Sequence, residues 1–180
     1  MNVFIAGPRA ISALDKAVNE KLHSIYVNNH TVLVGDANGV DKAVQKYFAN
    51  LRYGDVIVYA CEGKTRNNAG CWDVQIVDVP AHVKGFDYYK IKDKAMADDA
   101  EYGFMIWNGE SKGTLNNMIN LLSANKSTLI YLTKTSSFYE TDSMEKLQRL
   151  IMLCGQDTQK TFDKLRKTTA PIAYQQVSLF

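Results

Sequence analysis

Residues 1–60 read MNVFIAGPRAISALDKAVNEKLHSIYVNNHTVLVGDANGVDKAVQKYFANLRYGDVIVYA, and the fold is decided in this stretch. Residues 3–6, 32–34 and 56–60 are short and almost wholly apolar, the pattern of strands buried on both faces. Between them Leu14, Ala17, Val18, Leu22 and Ile25, and then Val40, Ala43, Val44, Tyr47, Phe48 and Leu51, recur at helical spacing. Strand and helix therefore alternate. That order implies right-handed βαβ units and a parallel sheet.

The pattern continues outward. Further apolar runs stand at residues 74–79, 104–107 and 128–132, with a helix expected over about residues 89–98 and another carrying Leu115, Met118, Ile119 and Leu122 on one stripe. The expected fold class is α/β: a Rossmann-like, doubly wound, mostly parallel sheet with helices on both faces. Residues 62–73, EGKTRNNAGCWD, hold two glycines, two consecutive asparagines and no apolar period, so they read as a long loop, a type often functional. Beyond Leu132 the polar run KTSSFYETDS leads to a helical tail whose stripe is Met144, Leu147, Leu150, Ile151 and Cys154. The expected organisation is an α/β core over residues 1–133, with residues 134–180 a C-terminal helical extension packed on the same domain.

With 180 residues, 46% of them hydrophobic and 22% charged, the chain can bury one core without metal or disulfide support. A formal net charge of +2, from 21 basic and 19 acidic residues, gives little long-range field and argues against a nucleic-acid partner. Lys160, Lys164, Arg166 and Lys167 read as a solvated helix face. Cys61, Cys71 and Cys154 form no CxxC pair, and no apolar run approaches the roughly 20 residues that cross a bilayer. A cytoplasmic protein without membrane association is expected. The tail after Leu132 can form a dimer contact or a lid, which leaves a homo-oligomer open.

In a parallel sheet, ligands sit beyond the carboxyl ends of the strands, where helix N-termini favour anions. Three loops fall there. The first, Ala6-Gly7-Pro8-Arg9, offers close backbone approach and a guanidinium for phosphate; alternatively it is a tight turn with a solvent-facing arginine. In the second, residues 35–41 (Gly35, Asp36, Ala37, Asn38, Gly39, Val40, Asp41), Asp36 or Asn38 can cap the next helix, while Asp41 can hold a ribose hydroxyl or orient a partner. The third is Trp107-Asn108-Gly109-Glu110-Ser111-Lys112-Gly113-Thr114, where small residues leave room for phosphate oxygens and the Ser111 and Thr114 hydroxyls can donate to them. It carries neither the GxxxxGK[ST] spacing nor GxGxxG.

Lys92, Asp93 and Met96 lie on the helix before the fifth strand, and Trp72 and Trp107 are core residues or flat surfaces for a base. Arg66, Asn67 and Asn68 can close over a ligand from the long loop or simply be solvated. His23, His30 and His82 are scattered, and no HExxH or GxSxG is present. No metal site and no required cofactor are expected.

Together, IAGPRA, VGDANGVDKAV and KDKAMADDAEYGFMIWNGESKGTLNNMI, spread over roughly residues 1–132, resemble the SLOG superfamily. This Rossmann-like group includes the LOG phosphoribohydrolases, the DNA processing protein A family and the YspA-like proteins, the last similar in their G-[SP]-R, G-x-A-x-G-x-D and G-x-S-x-G-T patterns. The resemblance implies a nucleotide or nucleotide-sugar pocket built by Gly7, Arg9, Gly35, Asp36, Gly39, Asp41, Gly109, Ser111, Gly113 and Thr114. Two departures stand out: Asn117 occupies the place of the LOG catalytic glutamate, and the LOG catalytic arginine aligns near Asp93. LOG-type hydrolysis therefore does not carry over. The leading expectation is a SLOG-type domain binding a nucleotide-derived, ADP-ribose-like ligand. The alternative is a nucleotide N-glycosidic hydrolase or transferase whose working carboxylate is Asp41, Asp93 or Glu110; a protein or single-stranded DNA interaction module is disfavoured by the charge balance.

Overall fold

A computed structural model describes residues 1–61 and 65–169. In chain order the elements are β1 (Asn2–Ala6), α1 (Lys16–Val27), β2 (Thr31–Gly35), α2 (Val40–Asn50), β3 (Val56–Cys61), β4 (Asp73–Val77), α3 (Phe86–Asp99), β5 (Tyr102–Trp107), α4 (Lys112–Ser123), β6 (Thr128–Leu132), β7 (Ser137–Thr141), α5 (Met144–Ile151) and α6 (Gln156–Thr169). The strands form one sheet of order β4-β3-β2-β1-β5-β6-β7, parallel except for the β6–β7 hairpin. This is the Rossmann-like α/β fold that the sequence implies.

The near-continuous apolar runs follow from burial on both sides. Along β1, Val3 and Ile5 face the cluster that holds Val18 and Leu22 of α1 and Val44 and Phe48 of α2. Phe4 and Ala6 face the opposite cluster, with Met96 of α3, Leu115 and Ile119 of α4, Leu150 of α5 and Phe162 of α6. Helix α4 is the most enclosed: every residue from Thr114 to Leu122 is buried, because α3, α6 and β5 pack around it. Among the described residues no helix is long and apolar enough to cross a membrane.

The two sheet edges depart from the sequence reading. The run at residues 74–79 was expected to be a buried strand, yet β4 is an edge with Val74 and Ile76 exposed, paired only to β3. At the other edge, the polar run after Leu132 contains β7 rather than a simple link to the helices. Its five residues set two adjacent aromatics, Phe138 and Tyr139, between polar side chains, with no apolar run or alternation to make it stand out. Phe138 packs on Tyr131 at a ring-centroid distance of 4.9 Å and so fixes the hairpin to the sheet. The helices beyond bury Leu147, Ile151, Phe162 and Leu165 in the same cluster as the sheet.

Because Ile119 is fully buried between α4 and the sheet, Ile119→Ala removes packing that its surroundings cannot recover. Urea unfolding is expected to show a loss of about 2–5 kcal/mol; a loss below about 1 kcal/mol would mean that α4 is not the enclosed centre of the fold.

Candidate functional site

The chain runs outward from β1 through β2 and β3 to β4, then crosses to β5 and continues the opposite way to β6. The loops leaving β1 and β5 therefore diverge, and a crevice opens between them. A cleft of about 600 Å³ occupies this point. The loop after β1 contributes Gly7, Pro8 and Arg9; α3 contributes Phe86, Tyr89, Lys92, Asp93 and Met96. The opposite wall is Asn108, Glu110, Ser111, Lys112, Gly113 and Thr114, with Asn117 one turn further along α4, and Ala37, Asp41 and Arg66 complete the lining.

Below the cleft lies a cluster of charge. Asp36 is buried and receives the Arg66 guanidinium in two-pronged fashion, Nε to Oδ2 at 2.9 Å and Nη2 to Oδ1 at 2.6 Å, while the Arg66 backbone N–H donates to Oδ2 at 3.1 Å. Lys92, itself buried, places Nζ 3.5 Å from Asp36 and 4.0 Å from Asp93. Burial works against the Asp36 anion, but the Arg66 hydrogen bonds and the Lys92 charge outweigh it and hold the carboxyl down at about 2. Asp93 has a different balance. Burial dominates, the Lys92 charge only partly offsets it, and neighbouring Asp41 adds repulsion, so the carboxyl is pushed up to about 6. Burial likewise raises Asp41, against the Lys92 charge and the Ala37 N–H that donates to it at 3.2 Å.

Gly35 makes this approach possible. A Cβ there would overlap the Asp41 carboxylate and lie 2.7 Å from Lys92 Nζ. Gly39, at φ 84°, meets the backbone of Arg9, so the first two loops touch where only glycine leaves room. Buried Gln45 ties the third side: Nε2 donates to the Gly35 carbonyl at 2.8 Å and to the Asn67 carbonyl at 3.2 Å, and Oε1 accepts from the Ala69 N–H at 3.0 Å.

At the mouth of α4, Ser111 is the N-cap and its Oγ accepts from the Thr114 N–H at 3.4 Å and from the Thr114 hydroxyl at 3.0 Å. The N–H groups of Lys112 and Gly113 belong to the first turn, where no intrahelical carbonyl is available to them. They and the helix dipole form an anion-attracting rim. The Ser111 hydroxyl can still donate outward, whereas Thr114 spends its proton on Ser111, so Thr114 shapes the loop instead of donating to a ligand as its sequence context suggests.

Several expected residues lie outside the cleft. Trp107 is fully buried and donates from Nε1 to the Ser111 carbonyl at 3.2 Å; it supports the loop and offers no face to a base. Trp72 is held away, its Nε1 donating to the Tyr53 carbonyl at 2.7 Å. Neither Asp36 nor Asn38 caps α2, whose N-cap is Gly39 without a side-chain bond. Asn67 donates to the Asp36 carbonyl at 2.8 Å and Asn68 to the Trp72 carbonyl at 2.8 Å, so both brace their own loop. Gly35, Asp36, Gly39 and Gly109 are structural neighbours of the cleft but do not line it. Glu110 does line it, yet it is more than half exposed and paired to Lys134 at 2.6 Å. Tyr89, Phe86 and Asn117 were not singled out as lining residues by sequence. Tyr89 carries the guanidinium carbons of Arg9 at 4.7 Å and Arg66 at 5.3 Å over its ring. Phe86, Tyr89, Asp93 and Met96 recur at the spacing of one helical face, and that signal was available.

No family model and no curated protein matches the chain. Among solved structures, DNA processing protein A from Helicobacter pylori, described by its single-stranded DNA binding mode, matches with a TM-score of 0.57 and 12% identity over 93% of this chain and 81% of that one. The likeness shows the shared fold. It also corrects the expectation that near-neutral charge argues against a nucleic-acid partner, because this fold carries a protein described as binding single-stranded DNA. Local arrangement is the relevant quantity: Arg9, Arg66, Lys92 and Lys112 line one cleft with Asp41, Asp93 and Glu110, and among the described residues Arg9 and Lys112 form no ion pair, although the net charge is only +2.

The two shifted aspartates predict opposite pH responses. Between the ordinary carboxylate value of 3.8 and about 6, the native protein holds a proton on Asp93 that the unfolded chain has lost, so this group's effect on stability worsens as pH rises through that window. Asp36 acts below it, its stabilisation complete above 3.8 and lost as pH falls towards 2. Urea unfolding of Asp93→Asn against the native protein is expected to shift in the variant's favour by up to about 3 kcal/mol between about pH 4 and about pH 7; a difference that does not change with pH contradicts the assignment.

Proposed function

We propose that the cleft binds a nucleotide-derived phosphorylated ligand in the manner of a SLOG-type domain, with an ADP-ribose-like molecule as the candidate. The observation that carries this reading is the position of the cleft: it lies at the divergence of β1 and β5, with the first turn of α4 on one wall and Arg9 on the other. A volume of about 600 Å³ suits a nucleotide-sized ligand. The phosphate goes to the Lys112 and Gly113 N–H groups, the Ser111 hydroxyl and Arg9. Ribose hydroxyls, which donate, go to the carboxylates of Asp41 and Asp93 on the floor. The motif resemblance over residues 7–9, 35–41 and 109–114 supports the same placement.

One observation favours a second, catalytic reading. Asp93 lines the cleft with a carboxyl pushed up to about 6, and its side chain remains 18% exposed. A carboxyl that keeps its proton to about pH 6 can pass it to a ring nitrogen of the leaving base of an N-glycosidic bond while water adds to C1′ of the sugar. Chromatography of nucleoside monophosphates and NAD after incubation tests this: free base from the native protein and none from Asp93→Asn supports it, and no free base from either removes it.

Binding itself is tested by calorimetry with the nucleoside 5′-monophosphates, ADP-ribose and a short single-stranded oligonucleotide. Binding of at least one is expected, weakened about tenfold by Arg9→Ala. No heat from any of them at millimolar concentration contradicts the proposal.

A further inference from the structure

Resting on that reading, we infer that the ligand carries a further phosphate, one nucleotide unit beyond the phosphate seated at the α4 N-terminus, and that it docks in a basic groove between α3 and α6 beside the cleft. The groove has a volume of about 290 Å³ and shares Phe86 and Lys112 with the cleft, so the two adjoin at these side chains. Lys90 of α3 and Lys112 at the start of α4 form one wall, and Lys164 and Thr161 of α6 form the far wall.

The electrostatics point to an anion. Lys112 Nζ lies 4.0 Å from the Phe86 ring centroid and Lys90 Nζ 5.8 Å from the same centroid, so two ammonium groups share one aromatic ring. Asp87 is the one carboxylate in the lining, and it pairs with Lys90 at 3.7 Å. Among the described residues no carboxylate lies within ion-pair distance of Lys112 or Lys164, which leaves their charge for a ligand. A phosphate that draws these cations together offsets their repulsion, and Thr161 is placed beside it as a hydroxyl.

The groove is also held in register with the phosphate loop. Thr158, one turn before Thr161 on α6, donates its buried hydroxyl to the Gly109 carbonyl at 2.7 Å. Two phosphates on one ligand would thus meet two walls fixed to each other. Exposed lysines bind a free ion weakly; a phosphate tethered to a nucleotide already seated in the cleft arrives at high effective concentration. The shared chemistry is a phosphate one unit beyond the first, as in a dinucleotide or the next residue of a nucleic-acid strand.

The test compares each nucleoside 5′-monophosphate with its 5′-phosphorylated homodinucleotide by calorimetry, on the native protein and on Lys164→Glu. The dinucleotide is expected to bind about tenfold more tightly than the mononucleotide, and Lys164→Glu to abolish that gain while leaving mononucleotide affinity unchanged. Higher salt should erode the gain first. Twelve-nucleotide homopolymers separate the sources: affinity that keeps rising with length indicates a strand, and affinity that stops at the dinucleotide indicates a small ligand, each consistent with the second subsite. Mononucleotide binding without any dinucleotide gain, or a gain that survives Lys164→Glu, overturns the inference while the cleft reading stands; no nucleotide binding at all is the failure of that reading instead.

Discussion

Three aspartates, Asp36, Asp41 and Asp93, converge on one buried ammonium, Lys92, at the carboxyl end of the sheet, and the site is arranged around the need to accommodate that charge. Removing carboxylates from water is costly, and one lysine cannot compensate three of them. Arg66 supplies the second cation, reaching in from the loop before β4 with a two-pronged grip on Asp36. This contact, together with Gln45 and Asn67, folds that loop against the end of β2. Asp93 remains under-compensated, which is why its proton is retained to about pH 6. Such a cluster is poor material for stability alone, as an apolar core of the same volume does as well. A ligand with both donors and anionic groups gives it a use.

The fold determines which groups face the cleft. Divergence of the chain between β1 and β5 creates the crevice; α4, enclosed by α3 and α6, points its N-terminus into it. The C-terminal helices belong to the same arrangement, since Phe162 and Leu165 complete the core beneath α4 and Thr158 holds the Gly109 carbonyl. Trp107 contributes from below, bonding the Ser111 carbonyl. The loop that presents Lys112 and Gly113 is therefore supported by β5, α4 and α6 at once, which favours a preformed anion site over one assembled by the ligand.

Much of this was legible in the chain, for identifiable reasons. Strands buried on both faces announce themselves as continuous apolar runs, so β1, β2, β3, β5 and β6 stood out; β4 stood out too but lies exposed at an edge, and β7 did not stand out because an edge strand needs no such run. The glycine-bearing loops were visible because glycine marks close approach, as between Gly35 and Asp41. What each polar side chain does was not visible, because it depends on partners far away in sequence. Asp36 looked like a helix cap and proved to be the counter-ion of Arg66; Trp107 looked like a possible platform and proved to be core. Net charge misled for the same reason: a sum over the chain says nothing of where Arg9, Arg66 and Lys112 meet.

On the proposed reading a nucleotide phosphate sits at the α4 N-terminus, at the point where β1 and β5 diverge. A crystal structure of the protein with its tightest-binding nucleotide shows where that phosphate lies. The phosphate is expected within hydrogen-bond distance of the Lys112 and Gly113 N–H groups and of Arg9, with the sugar hydroxyls over Asp41 and Asp93. A phosphate bound elsewhere on the molecule, with this rim left to water, would contradict it.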